Sequence, residues 1–238
     1  MSRKYLYDDK IGFVELVEHM GTDLTIVNAA RVSFNKHKDS LDTKDEKLIK
    51  YLIDHKHTST LEHNVVTFRV KVPLFVRSQH MRHRTAAYNE VSRRYTDENI
   101  QFYLPQTFRS QHKSNRQASN AEELINPEMS WCYRDPHETG DCGNAAESMN
   151  AFVGIAHRLY EELSAKGVCR EQARMVLPQN LYTEYYCTAN LRNVMHFIEL
   201  RTHEGAQWEI QRVANAMLEI VQELWPVTVK AFIENQKH

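Results

Sequence analysis

The sequence predicts a chain that mixes helices with strands, and three stretches carry that expectation. Residues 67–72 alternate strictly, with Phe68, Val70 and Val72 on one face and Thr67, Arg69 and Lys71 on the other, which is the period of a half-buried strand. LYTEYYCTA, from Leu181 to Ala189, is rich in aromatic and β-prone residues and reads as another strand. From Asn190 the apolar residues return at helical spacing, giving helices over 190–200 and 206–224 and a last short helix after Trp225 and Pro226.

The other elements follow the same logic. Phe13, Leu16, Val17 and Met20 recur at helical spacing before Gly21, which predicts a helix with a glycine stop. Leu48, Leu52 and Ile53 mark a second amphipathic helix. Pro73 suits the first turn of a third, because its missing N–H costs nothing there, and Leu74 to Met81 continue that helix into RHRTAAYNEVSRRY. Residues 107–144 are rich in Ser, Asn, Gln, Pro and Gly with little periodicity, so they read as a long excursion or partly ordered loop. From Ala145 the helical pattern resumes through Met149, Phe152, Val153, Ala156, Leu159, Tyr160 and Leu163.

Composition bounds the function. With 238 residues, 42% of them hydrophobic, the chain buries a real core, and a single domain over 1–238 is the expectation. Thirty Lys+Arg against thirty-one Asp+Glu leave a net charge of −1, so no global positive field holds a nucleic acid. No apolar run reaches membrane-spanning length, and MSRKYLYDDK is too charged for a signal peptide, which points to a cytoplasmic protein. Cys132, Cys142, Cys169 and Cys187 form no CxxC pair, and the thirteen histidines form no HExxH, so no metal site is expected and the thiols read as free.

Against that neutral background RHRTAAYNEVSRRY, Arg82 to Tyr95, crowds four arginines and a histidine around Glu90, Asn89 and Ser92. Were NEVSRRY helical, Asn89 would face Arg93 and Glu90 would face Arg94 at i,i+4, holding each guanidinium for an anion. A salt-bridged surface helix fits the charges equally well. Three further segments tilt the balance toward a ligand site. HTSTLEH sets His57, Ser59, Glu62 and His63 before the central strand, and AARVSF sets Arg31 and Ser33 among small and apolar residues. NLRNVMHFIELRTHEGAQWEI keeps Asn190, Arg192, His196 and Arg201 on a largely apolar helix, where arginines call for an acid or an anionic ligand, and Arg174 stands ahead of MVLP.

These blocks together resemble the flavin-dependent thymidylate synthases. RHRTAAYNEVSRRY resembles their signature RHRxxSxxxxSxRY, and AARVSF, HTSTLEH, RMVLPQNLYT, NLRNVMHFIELR and AQWEI look like further blocks of that family in its usual order. The resemblance covers nearly the whole chain outside the excursion. It implies an α+β fold with a central antiparallel sheet flanked by helices, and a homotetramer with active sites at subunit interfaces. It implies that FAD, reduced by NADPH, supplies the hydride that turns dUMP into dTMP, with methylenetetrahydrofolate as carbon donor and no cysteine nucleophile.

Carried over by matching positions, Ser33, Ser59, Arg82, His83, Arg84, Glu90, Asn190, Arg192 and His196 would contact FAD. Gln79, Arg82, Glu90, Ser92, Arg93, Arg94, Arg174 and Arg201 would surround dUMP, with Arg201 against the uracil ring as the catalytic group favouring its N3-ionised form. Arg93 stands at a variable position of the signature, which implies a contact through its backbone and a solvent-facing side chain. Ala87 replaces the signature serine, and His196 stands where some relatives carry asparagine. Two rivals remain: a member that binds flavin and nucleotide without full methyl transfer, and an RNA-binding module using the same arginines, which the near-neutral charge disfavours.

Overall fold

The structure is a computed structural model and describes residues 3–116, 118–129 and 143–236. In chain order the described residues form β1 (Arg3–Tyr5), β2 (Phe13–Met20), α1 (Asp23–Arg31), α2 (Thr43–Asp54), β3 (Val65–Pro73), α3 (Leu74–His80), β4 (Ala87–Glu90), β5 (Phe108–Gln111), β6 (Ser119–Ile125), α4 (Ala145–Ala165), α5 (Arg170–Ala173), β7 (Tyr182–Asn190), α6 (Leu191–Thr202), α7 (Trp208–Leu224) and α8 (Pro226–Asn235). Short 3₁₀ turns span Val32–Phe34, Thr58–His63 and Arg174–Val176. Five strands make the central antiparallel sheet in the order β1-β2-β3-β7-β4, so the fold is the α+β arrangement that the resemblance implies. Two compact units divide the chain: Met1–Lys71, Ser78–Asn89 and Glu184–His238 in one, Val72–Arg77 and Glu90–Thr183 in the other.

In the first unit Phe13 to Met20 is a strand, where the spacing predicts a helix. Val14 pairs with Val70 and Leu16 with Phe68, but the register then slips so that Glu18 meets Thr67. Val17 is the extra residue of a β-bulge, and a bulge breaks strict alternation, so strand residues fall by accident at helical intervals. Gly21 ends this strand with φ +89°, and a Cβ there would meet Asn64 Oδ1 at 2.1 Å.

Val14, Phe68 and Val70 are fully or almost fully buried, and α7 covers β2 with Ile210, Val213 and Met217, also buried. That face amounts to several side chains at roughly 1.5–3 kcal/mol each, the main drive for this core. Trp225 is buried and donates Nε1–H to Asn64 Oδ1 at 2.9 Å, so its indole enters the core without an orphaned donor. Asp23, also buried, accepts the Val227 and Thr228 amides at 3.0 Å each. A carboxylate on the first turn of α8 matches the helix dipole and caps a helix that Pro226 opens.

In the second unit α3 starts at Leu74, with Pro73 as the last residue of β3 rather than inside the helix. Asn144 caps α4, its side chain accepting the Glu147 amide while Glu147 reaches back to the Asn144 N–H. Tyr160, Ala173, Leu177 and Leu181 form a buried cluster there, with Leu74, Ile100, Phe102 and Val176 packed around it. Within the predicted excursion β5 and β6 pair as an antiparallel hairpin, while residues 130–142, with Cys132 and Cys142, lie outside the described residues. No helix of the described residues is long and apolar enough to cross a membrane.

Candidate active site

RHRTAAYNEVSRRY is not a helix. Ala87 to Glu90 form β4, and the chain then turns, with Ser92 O accepting the Tyr95 amide at 2.9 Å and the Thr96 amide at 3.2 Å. The i,i+4 pairs that a helix would give are therefore absent: Glu90 does not hold Arg94, and Asn89 does not hold Arg93.

Glu90 instead finds its partners far away in the chain. Its Oε2 accepts from Arg77 through both Nε, at 2.9 Å, and Nη2, while Oε1 accepts the Thr183 hydroxyl at 2.7 Å. These three residues line a cleft of about 230 Å³ in the second unit, together with Ser92, Arg93 and Arg174 over a floor that includes Leu177 and Leu181. Arg93, expected to face solvent, is partly buried at the cleft. Its guanidinium donates to the Glu98 and Asn99 carbonyls at 2.6 and 3.3 Å, and burial lowers its pKa. Arg174 is exposed and donates from Nε to the Glu171 carbonyl at 3.4 Å. Neither Arg93 nor Arg174 has an acid at ion-pair distance among the described residues, although Asp97 acts on Arg93 at longer range, so the cleft holds two cations without a contact ion pair beside a carboxylate already paired with Arg77. Arg94 lies outside this lining, 3.7 Å from Glu171. Ser92 Oγ accepts the Arg94 amide at 3.3 Å and has no base beside it among the described residues.

The first unit holds a second constellation. His83 Nε2 accepts from Arg201 Nε at 3.2 Å, and burial first, then the Arg201 charge, then His196, hold its pKa down to about 4. His83 is therefore a neutral acceptor near pH 7. Burial also lowers the pKa of Arg201, a cation short of water. The turn carrying His83 is held by Tyr88, whose hydroxyl lies 3.1 Å from the carbonyls of both His80 and His83. Below it His80 is buried, 2.7 Å from the Tyr185 hydroxyl through Nδ1, and desolvation pulls its pKa to about 3. Gln79 donates to Gln207, which donates to Glu209 at 2.8 Å, tying AQWEI to α3.

Around α6 a larger cleft of about 590 Å³ is lined by Lys56, Thr58, Thr85, Arg192, Asn193 and His196 among others. Arg192 is ion-paired with Glu62, the acid of HTSTLEH, and His196 lies 3.9 Å from Glu199. Asn190 is spent on structure at one atom, its Oδ1 capping α6 through the Asn193 amide at 3.0 Å. Ser59 sits exposed on the adjoining 3₁₀ turn, and Ser33 sits exposed on the turn after α1, whose Arg31 pairs with buried Asp45 at 2.6 Å. Arg82 and Arg84 are exposed, and no acid pairs with either among the described residues.

Sequence reasoning gathered many of these residues but missed Arg77 and Thr183 in the smaller cleft, and Lys56, Thr58, Thr85 and Asn193 in the larger. For Arg77 a signal existed: it interrupts the apolar run LFV on α3, the same sign that marks Arg192 and Arg201. Thr183 gave none, because a threonine within a strand looks like any other.

The α+β fold thus carries one arginine-lined cleft and one larger cleft of mixed cationic and amide lining. Comparison with known proteins makes the class specific. A family model described as thymidylate synthase complementing protein matches residues 15–227. Flavin-dependent thymidylate synthases of Thermus thermophilus and Thermotoga neapolitana are each 43% identical over 94% of this chain, covering 76% and 91% of their own lengths. A UMP/dUMP methylase from Streptomyces cacaoi, bound with 5-Br dUMP, superposes with a TM-score of 0.75 at 32% identity, over 93% of this chain and 94% of its own. The chain belongs to the flavin-dependent thymidylate synthase family and is an enzyme of it.

Proposed function

We propose that this enzyme converts dUMP to dTMP, with methylenetetrahydrofolate as carbon donor and NADPH as the source of reducing power. The observation that carries the nucleotide assignment is the smaller cleft. Arg93 and Arg174, neither in a contact ion pair among the described residues, match the two negative charges of a phosphate monoester, while Glu90, paired with Arg77, is held in place to accept from the sugar or base. A solvated surface cluster would pair its arginines with the nearest acids, as Arg94 does with Glu171.

Arg201 polarises the uracil ring in this reading. A guanidinium has five donors, and His83 takes only one, so the rest remain for an anionic ring edge. Because burial already disfavours its charge, Arg201 gains by meeting the N3-ionised ring, and His83, being neutral, does not compete for that charge. Gln79, held through Gln207, and Arg82 complete the uridine set on this side. In a homotetramer with sites at subunit interfaces, the two sets need not come from one chain.

The donor set of the larger cleft fits FAD. Lys56 and Arg192 suit its diphosphate, and Thr58, Thr85, Asn193 and His196 offer hydrogen bonds to ring and ribose edges. Ser33, Ser59, His83, Arg84 and Asn190 extend that set. When bound, FAD supplies the hydride that completes the new methyl group. Neither described cysteine is asked to attack uracil: Cys187 is buried, with its thiol pushed up to about 12, and Cys169 lines neither cleft.

Purified protein should be yellow and should form dTMP from dUMP, methylenetetrahydrofolate, NADPH and FAD. Colourless protein that takes up no flavin sinks the reading. Yellow protein that binds dUMP and forms no dTMP establishes the variant without full methyl transfer.

A further inference from the structure

Glu90 is the one acid in the signature, and its orientation is set by residues outside it. Nε and Nη2 of Arg77 occupy Oε2, and the Thr183 hydroxyl occupies one position on Oε1. A carboxylate offers about four acceptor positions, so these contacts use three and leave one on Oε1. Arg77 comes from α3 and Thr183 from β7, two regular elements that fix the clamp from different parts of the chain. All three residues line the smaller cleft, and the Glu90 side chain is 19% exposed, so the clamped carboxylate borders the cleft rather than the core.

We propose that Arg77 and Thr183 are positioning residues for the nucleotide: they hold Glu90 so that its single remaining acceptor site meets one O–H or N–H donor of the substrate in one orientation. The proposal rests on the reading that this cleft takes dUMP. Its content is that Arg77, although cationic and in the cleft, acts through Glu90 and not on the phosphate, which Arg93 and Arg174 hold. Arg77 also supplies the positive charge that keeps a carboxylate tolerable beside a dianionic ligand. Without it Glu90 would repel the phosphate or turn away.

The test is a double-mutant cycle on dUMP affinity, measured by calorimetric titration of the full-length protein with Arg77→Met, Glu90→Gln and the double variant. Arg77→Met should weaken dUMP about tenfold, the loss expected for one charge-assisted contact at about 1.4 kcal/mol per decade. Once Glu90→Gln has removed the carboxylate, adding Arg77→Met should cost less than a further twofold. Multiplicative losses would mean that Arg77 touches the nucleotide itself, and would overturn the proposal. Thr183→Val should raise KM for dUMP several-fold with flavin content unchanged, and Thr183→Ser should restore it. A Thr183→Val protein with wild-type KM removes Thr183 from the clamp. If Arg77→Met fails to fold, the Thr183 pair decides alone. Wild-type protein that binds no dUMP would end the functional reading together with this one, whereas dTMP formation with a multiplicative cycle ends only this one.

Discussion

Arg201 donates from Nε to Nε2 of His83 across 3.2 Å, joining the last turn of α6 to the turn that follows α3. The bond requires His83 to be unprotonated at Nε2, so its proton sits on Nδ1. A protonated ring would lose this acceptor and face a guanidinium at close range.

Acid should therefore loosen the protein in a definite window. An unfolded histidine takes up its proton near pH 6.5, whereas His83 does so at about 4 and His80 at about 3. Between those values the unfolded state holds more protons, so stability is complete above about pH 6.5 and falls as pH drops through the window. Depressed carboxylates such as Asp42 and Asp45 act only lower, below their ordinary value of 3.8. Urea midpoints measured between pH 7.5 and pH 4.5 should decline toward acid, and His80→Gln should make the decline shallower by about one proton. A flat profile would contradict neutral burial of these rings.

Arg201→Ala should abolish dTMP formation while leaving FAD bound, because the proposed function gives it the uracil ring as partner. The same change removes a positive charge that holds the pKa of His83 down, so that pKa should rise, which NMR titration of the ring would read. Equal loss of flavin would assign Arg201 to the cofactor. An unmoved His83 would mean that burial alone sets its state.

Ser92→Ala should keep measurable turnover. Its hydroxyl accepts the Arg94 amide at 3.3 Å, a turn contact worth about 1 kcal/mol, and no base stands ready to deprotonate it among the described residues. Initial rates should fall by up to about tenfold through loss of positioning. Complete inactivity in a folded, flavin-loaded variant would restore serine as a nucleophile.

How far the sequence reached follows from the range of the forces involved. Residues 67–72 and the C-terminal helices were legible because their burial faces repeat at one period without interruption: Phe68, Val70 and Val72 are all at or near zero exposure. Phe13 to Met20 was misread because a single bulge at Val17 shifts the face halfway along the strand. The signature stood out as a cluster of charge and identified the family, yet its internal wiring was not legible. Local spacing proposes Arg94 as the partner of Glu90, while the fold delivers Arg77 from thirteen residues earlier and Thr183 from ninety-three residues later. Pairings of that range depend on how strands are ordered in the sheet, and no single stretch encodes that order.

The cysteines give the sharpest contrast with a thiol mechanism. Cys187 is 3% exposed beside His80, with its Sγ 3.9 Å from Nε2, but desolvation makes that ring a neutral partner unable to stabilise a thiolate. A thiol pushed up to about 12 is protonated at pH 7, and this one is almost fully buried. Cys169 is exposed, 3.6 Å from Gln172 Oε1, and lines neither of the two clefts. Replacing Cys187 with alanine should therefore cost stability, about 1–2 kcal/mol for a small buried side chain, while kcat stays within a few-fold of wild type. Cys169→Ser should leave both unchanged, and iodoacetamide should not inactivate the folded enzyme through either thiol. The assay is dTMP formation beside a thermal melt for each variant. Loss of turnover in Cys187→Ala with the melt and flavin intact would show that the buried thiol takes part in the chemistry.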